Sequence, residues 1–218
     1  MSYSHFKHAI LVIFIITAFS QVSCIKNLTI TNTVYENNFD DYKLNTLEIS
    51  GWKNGIFGMV SEQRIGTYNG NTLLGKFNNN QVILNLYNLP SHQALLVELD
   101  LYLHNNWRND LWKMSFDGND KLLTGFSNDS SIKQSYPNWL SNGSSLSPAG
   151  NDAVNIYLPG TCSLINSVRG TSLYRIITTV SHSSSNFVLS CSDAGGILND
   201  TCQRSWSMDN LKVSVFKN

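Results

Sequence analysis

The sequence predicts an all-β fold, an antiparallel two-sheet sandwich of jelly-roll type, from three observations. Apolar residues recur with a period of two in many short segments, those segments are bounded by Gly, Asn, Ser or Pro, and no stretch carries a helical repeat. The clearest segment is 94–104. There Leu95, Val97, Leu99, Leu101 and Leu103 share one face while Glu98, Asp100, Tyr102 and His104 share the other, the pattern of a half-buried strand. Val82, Leu84 and Leu86 repeat the alternation, and the turn residues Asn88-Leu89-Pro90-Ser91-His92 are expected to join the two runs as an antiparallel hairpin. Trp112, Met114 and Phe116 alternate with Lys113, Ser115 and Asp117. The following Asp117-Gly118-Asn119-Asp120 reads as a hairpin turn into Lys121-Leu122-Leu123. Further strands are expected at 154–158, 173–180, 187–191 and 211–216.

The 218-residue chain opens with Lys7, the apolar run 9–19 and the small, polar stretch Ser20-Gln21-Val22-Ser23-Cys24, the build of a secretory signal peptide. Cleavage after Ser20 or after Cys24 fits; the second divides the chain into a 1–24 leader and a 25–218 single sandwich domain. The run is shorter than the roughly 20 apolar residues a span requires, so a secreted, extracellular protein without a membrane span is expected. With 15 basic and 15 acidic residues the full chain is neutral, and removing Lys7 leaves 14 against 15, a net charge of −1. Nucleic-acid binding needs clustered Lys and Arg to displace counterions, and the few basic residues here are scattered.

An oxidising compartment makes cysteine pairing the default. Cys191 with Cys202 is the expected disulfide, because Ser192-Asp193-Ala194-Gly195-Gly196 gives the intervening loop flexibility. Cys162 then pairs with Cys24, with another chain or with nothing. Asn-x-Ser/Thr sequons at Asn27, Asn128, Asn142 and Asn199 mark surface loops and glycosylation positions of a glycoprotein.

Catalytic constellations are sparse. No Gly-x-Ser-x-Gly elbow exists, and His92, His104 and His182 stand apart without metal-ligand spacing. Glu98 and Asp100, on one face of a strand with Tyr102, resemble the Glu-x-Asp-x-Glu strand of laminarinase-type β-glucanases, but Tyr102 replaces the third carboxylate. Glycoside hydrolysis needs two carboxylates in different roles, so the stronger reading is plain polar alternation on a solvent-facing strand, with Glu98, Asp100 and Tyr102 kept as candidate ligand contacts. Calcium takes six to eight oxygen ligands, and Glu36, Asn38 and Asp40 before the first strands, with Asp209 before the last, supply them; a solvated acidic turn is the alternative. By parity Asp209 falls on the apolar side shared by Leu211, Val213 and Val215, where a carboxylate wants a partner or a cation. Trp107, Tyr136 and Trp139 sit in polar surroundings where exposed rings stack against sugars; the alternative is that they anchor the long 128–152 loop.

Several segments, in order over 38–216, resemble a group of secreted jelly-roll modules akin to carbohydrate-binding modules, found in bacterial exported proteins and some protists. The matching pieces are Leu73-Leu74-Gly75-Lys76-Phe77 with Val82-Ile83-Leu84-Asn85-Leu86 and Asn88-Leu89-Pro90-Ser91-His92, then Leu99-Asp100-Leu101-Tyr102. Asp110-Leu111-Trp112-Lys113-Met114-Ser115-Phe116-Asp117-Gly118 follows, with Phe126-Ser127-Asn128 and Gln134-Ser135-Tyr136-Pro137. The end, Ser205-Trp206-Ser207-Met208-Asp209-Asn210-Leu211-Lys212-Val213, is similar to the group's "SWG(I/L)DNV" close. The resemblance implies a jelly roll used for adhesion or carbohydrate binding, without catalysis, and a structural calcium at Asp209. The group's acidic "DSWDG" reads Asn105-Asn106-Trp107-Arg108-Asn109 here, which removes the acids of any second cation site. A non-enzymatic module for a glycan or an extracellular glycoprotein is therefore the leading expectation. A matrix protein without a small-ligand site comes second, and a glycoside hydrolase using Glu98 and Asp100 third.

Overall fold

The computed structural model describes residues 30–53, 56–59, 64–138, 145–194 and 200–217. The expected leader with Cys24, the sequons at Asn27, Asn142 and Asn199, and Trp139 lie outside the described residues. Strands β1 (Ile30–Asn37), β2 (Leu47–Lys53), β3 (Ile56–Met59), β4 (Ile65–Tyr68), β5 (Asn71–Phe77), β6 (Asn80–Leu86) and β7 (Ala94–Asn105) are followed by β8 (Arg108–Phe116) and β9 (Asn119–Ser127). After a long connection come β10 (Asn155–Leu158), a 3₁₀ turn at Cys162–Leu164, β11 (Thr171–Ser181), β12 (Phe187–Ala194) and β13 (Arg204–Lys217).

The strands form two antiparallel sheets packed face to face. One runs β10-β11-β7-β13-β5-β4, with β1 beside β13, and the other runs β3-β2-β6-β12-β8-β9. The predicted sandwich is therefore the fold. Leu95, Val97, Leu99, Leu101 and Leu103 of β7 and Trp206 and Met208 of β13 meet Trp112, Met114 and Phe116 of β8 and Leu84 of β6 in a single core. Each large side chain buried this way contributes roughly 1.5–3 kcal/mol, which is why the period-two pattern decides the layering.

Two expected hairpins fare differently. β8 and β9 pair through Asp117 (φ 50°) and Gly118 (φ 78°), the two left-handed residues whose twist matches flanking strands. β6 and β7 do not pair. β6 ladders with β2 and β12 in one sheet, and β7 with β11 and β13 in the other. Turn residues specify a chain reversal but not the sheet in which the next strand finds its neighbours, and here the 87–93 connection crosses the sandwich.

β13 begins at Arg204, seven residues before the expected strand, because a bulge interrupts its alternation. Asp209 lies opposite Asp100 and Lys212 opposite Glu98, so two residues of β13 face one of β7, and Asn210 takes a left-handed φ of 51°. Trp206 and Met208 point into the core before the bulge, and Leu211, Val213 and Val215 after it. Asp209 is consequently on the outer face, not on the apolar side that simple parity assigned to it.

The disulfide joins Cys162 to Cys202, with Cα atoms 5.6 Å apart, which corrects the expected Cys191–Cys202 pair. Cys191 faces the core from β12 and is 1 % exposed; a core-facing thiol in the middle of a strand cannot reach a partner beyond its end, and burial pushes its pKa up. The described part of the 128–152 connection is held down by Gln134, which is fully buried. Its Oε1 accepts from Ser127 N (3.2 Å), Gly150 N (3.0 Å) and the Tyr174 hydroxyl (3.1 Å), and its Nε2 donates to the carbonyls of Tyr136 and Asn151 (both 3.2 Å).

Candidate functional site

A cavity with a largely apolar lining lies on the outer face of the seven-stranded sheet, beside the end of β7. Asn69 (φ 48°) and Gly70 (φ 85°) turn β4 into β5, and this hairpin forms one wall. The segment 159–165 forms the other, pinned by the Cys162–Cys202 bridge. Asn105 fixes both ends of that pin. Its Oδ1 accepts from Thr161 N (2.8 Å), and its Nδ2 donates to Thr161 Oγ1 (2.8 Å) and to the Cys202 carbonyl (2.9 Å).

The enclosed volume is about 360 Å³, and its lining includes Tyr68, Leu73, Lys76, Pro159, Thr161 and Ser207. Tyr68 donates its hydroxyl proton to the Pro159 carbonyl and sets its ring edge-on to His104 (4.7 Å) and Tyr102 (5.9 Å). His104 is completely buried. Its ring nitrogens share hydrogen bonds with Thr171 Oγ1 (3.0 Å) and Ser207 Oγ (2.9 Å), and burial, aided by the Lys76 charge, lowers its pKa to about 3. It is a neutral, fixed floor residue. Lys76 Nζ lies 3.8 Å from Cys162 Sγ. Gly75 lets β5 approach β13: a Cβ at that position would stand 2.7 Å from Ser207 Cβ and 2.9 Å from Ser207 Cα.

Further along the same face, Asp100 and Asp209 sit side by side. Arg175 Nε and Nη2 donate to the two Asp100 oxygens at 2.9 and 3.1 Å, and Asn210 Nδ2 donates to Oδ2 at 2.9 Å. Asp209 Oδ1 accepts from Asn210 N (2.7 Å). Burial, together with the Asp100 and Asp40 charges, raises the Asp209 pKa to about 6. Burial and the Asp209 and Asp100 charges push the Tyr102 hydroxyl up to about 12. Asp100 and Tyr102 are thus gathered on one face as expected, but at 4 % and 5 % exposure they support the face from beneath. Glu98 is half-buried in register with Lys212.

Among the described residues, the two rings expected for an aromatic platform, Trp107 and Tyr136, do not form one. Trp107 is fully buried, donating Nε1 to the Ser205 carbonyl (2.9 Å) beneath the Arg204 guanidinium (5.2 Å), because the polar residues around it turn outward at the end of β7 while its ring fills the core. Tyr136 packs against Phe126 (4.6 Å) and Tyr174 (5.3 Å), the anchoring role. The Asn128 amide nitrogen, where a glycan would attach, donates to the carbonyls of Leu103 (2.7 Å) and Asn105 (3.0 Å), so this sequon is a structural element of the folded chain.

Of the expected cation ligands, Glu36, Asn38 and Asp40 line a single hollow of about 420 Å³ with Asn37, Asp41, Asn45 and Asn210, and Asp209 lies close enough to feel the Asp40 charge. Asn38 and Asp40 also bond to each other, Nδ2 to Oδ2 at 2.9 Å. Among the described residues no three carboxylate, imidazole or thiolate side chains converge as a ready-made metal cluster. The hollow supplies oxygens without closing them into a cage.

No protein-family model matches the chain, and no curated protein does. Among solved structures, it is similar to a family 35 carbohydrate-binding module from Clostridium thermocellum, at 10 % identity and a TM-score of 0.33, covering 68 % of this chain and 85 % of the module. It is also similar to a family GH115 4-O-methyl-α-glucuronidase with specificity for decorated arabinogalactans, at 12 % identity and a TM-score of 0.33. That likeness covers 84 % of this chain and 17 % of the enzyme, so the chain spans about a sixth of the enzyme's length. Neither likeness carries residue roles to this chain. Among the described residues no helix is long and apolar enough to cross a membrane.

Proposed function

We propose that this chain is a secreted, non-enzymatic binding module that recognises a glycan or the glycan of an extracellular glycoprotein at the cavity between the β4–β5 hairpin and the 159–165 segment. The observation that carries the reading is the lining of that cavity. An aromatic ring (Tyr68) and apolar walls (Leu73, Pro159, Ile165) stand next to hydroxyl, amide and ammonium groups of Thr67, Asn69, Thr161, Ser207 and Lys76. A sugar ring presents the same two characters, an apolar face and a rim of hydroxyls. A hydrolase built on Glu98 and Asp100 gains no support, since both Asp100 oxygens are already engaged by Arg175 and Asn210. Calcium belongs to this proposal as a structural ion in the hollow of Glu36, Asn38 and Asp40, with Asp209 close by.

A glycan array read with and without chelator tests the reading. Binding that Tyr68→Ala and Lys76→Met each weaken tenfold or more is expected. No glycan retained at high protein concentration, or undiminished binding by both variants, would overturn it. A melting temperature unchanged between EDTA and millimolar calcium would sink the structural ion.

A further inference from the structure

β7 is twelve residues long, and the end opposite the cavity holds a second group of titratable side chains. His92, in the 87–93 connection, and His182, just after β11, are 6 % exposed overall and 8 % exposed at the side chain, respectively. His92 Nδ1 lies 2.6 Å from the Pro90 carbonyl oxygen, His92 Nε2 lies 2.7 Å from His182 Nδ1, and His182 Nε2 lies 3.2 Å from Asp117 Oδ2. The ring planes are 14° apart with centroids 5.0 Å apart. That separation is about the N···N distance plus one ring radius at each end, so the rings lie in line and nearly coplanar, nitrogen to nitrogen. Asp117 is the charged side chain set against the pair, with its other oxygen accepting from Val188 N (2.9 Å), and Phe187 meets the His182 ring edge-on at 5.5 Å.

Counting protons along this chain decides its charge. The Pro90 carbonyl only accepts, so His92 Nδ1 carries a proton. One proton must lie between the two rings, or two lone pairs face each other at 2.7 Å. His182 Nε2, closed off from water and without an aligned acceptor, faces a carboxylate, and only a third proton between them makes that contact attractive. Two neutral imidazoles supply two. A fourth proton has no place, because it would set N–H against N–H between the rings.

We propose that His92 and His182 bind one shared proton, and with Asp117 form a proton-dependent clasp on the three connections that carry them. The same connections are also joined by Leu89 N to the Ser185 carbonyl (2.9 Å) and His182 N to the Gln93 carbonyl (3.0 Å). The pH dependence is two-sided. An unfolded chain titrates both rings near the ordinary histidine value of about 6.5. Above that pH the unfolded pair holds no proton and the folded pair one, so raising pH favours unfolding. Below it the unfolded pair holds two and the folded pair one, so lowering pH also favours unfolding. The clasp is therefore strongest in a window around the histidine midpoint.

Nitrogen-detected NMR of the two rings across pH 5 to 8 in the wild-type protein tests this directly. One proton held by the pair through the range, with the facing nitrogens sharing intermediate shifts, is expected. Two rings that each take up a proton through the ordinary histidine range, or a pair that stays wholly neutral to pH 5, would overturn it. The unfolding constant in urea gives an independent reading. The ratio of double-variant (His92→Gln with His182→Gln) to wild-type unfolding constants is expected to pass through a maximum near pH 6.5, changing by up to about tenfold per pH unit on each side. A ratio flat or monotonic in pH would refute the shared proton, and if the variant does not fold the NMR titration decides alone.

Discussion

Asp100 and Asp209 stand directly opposite each other on β7 and β13, on the same face of the sheet, and only Asp100 is neutralised by a cation, Arg175. The raised pKa of about 6 at Asp209 follows from its burial and from that neighbour. A folded-state value above the ordinary aspartate value means that the folded chain holds the proton more tightly. The Asp209 contribution to stability is then fully present below about pH 4 and is lost as pH rises through 6.

Asp209→Asn removes this loss while keeping an oxygen for the Asn210 N–H. In EDTA the variant is expected to be more stable than wild type at pH 8 by about 2–3 kcal/mol and no more stable at pH 4, measured by urea unfolding at both values. In millimolar calcium the sign reverses if the ion binds beside Asp209, since the variant then lacks a ligand charge.

Gln134→Met leaves three donors and two carbonyls of the fold without their buried partner. A loss of about 3 kcal/mol or more is expected, with proteolytic cleavage in the 128–152 connection under conditions where the wild type is intact. Limited proteolysis with mass mapping checks it.

Gly75→Ala forces a Cβ against Ser207 at a φ of +148°. The expected loss is about 2–4 kcal/mol by thermal or urea melting, and glycan binding should fall with it, because β5 and β13 both line the cavity. A shift in melting without any change in binding would separate the cavity from the proposed function.

Replacing both Cys162 and Cys202 by Ala opens a 40-residue loop. Chain entropy puts the loss at about 4 kcal/mol. Cys191→Ala should leave the Cys162–Cys202 linked peptides unchanged in a non-reduced digest.

The layering was readable because strict alternation such as that of Leu95 to Leu103 has one solution, a strand with one face in the core. What alternation cannot convey is a change of phase. The bulge at Asn210 shifted Asp209 to the outer face, and no residue type announces it except the Asn itself, which tolerates a left-handed φ. Trp107 was misassigned for a related reason: polar neighbours describe the backbone path around a ring, not where the ring packs. Asp100 and Tyr102 read as ligand contacts and Asp209 as a cation ligand, but none of the three lines the cavity; Tyr68, Lys76 and Ser207, which do, are not legible in the sequence. They come from three strands and carry no spacing signal; the sole hint was Asn69-Gly70, a hairpin turn that places Tyr68 at its rim. His92 and His182, separated by ninety positions, read as unrelated residues until two connections bring them together.

The bridge between Cys162 and Cys202 encloses β11 of one sheet and β12 of the other, and its effect extends to mechanics. Tension applied through the two ends of the chain bypasses the 40-residue segment, which stays slack inside a covalent ring even after both sheets have been pulled apart. At roughly 3.3–3.6 Å per residue, an oxidised molecule stretched to its limit is shorter than a reduced one by about 130–140 Å. The oxidised chain therefore yields less length under load than its residue count suggests, and recovers with two strands still tethered to each other.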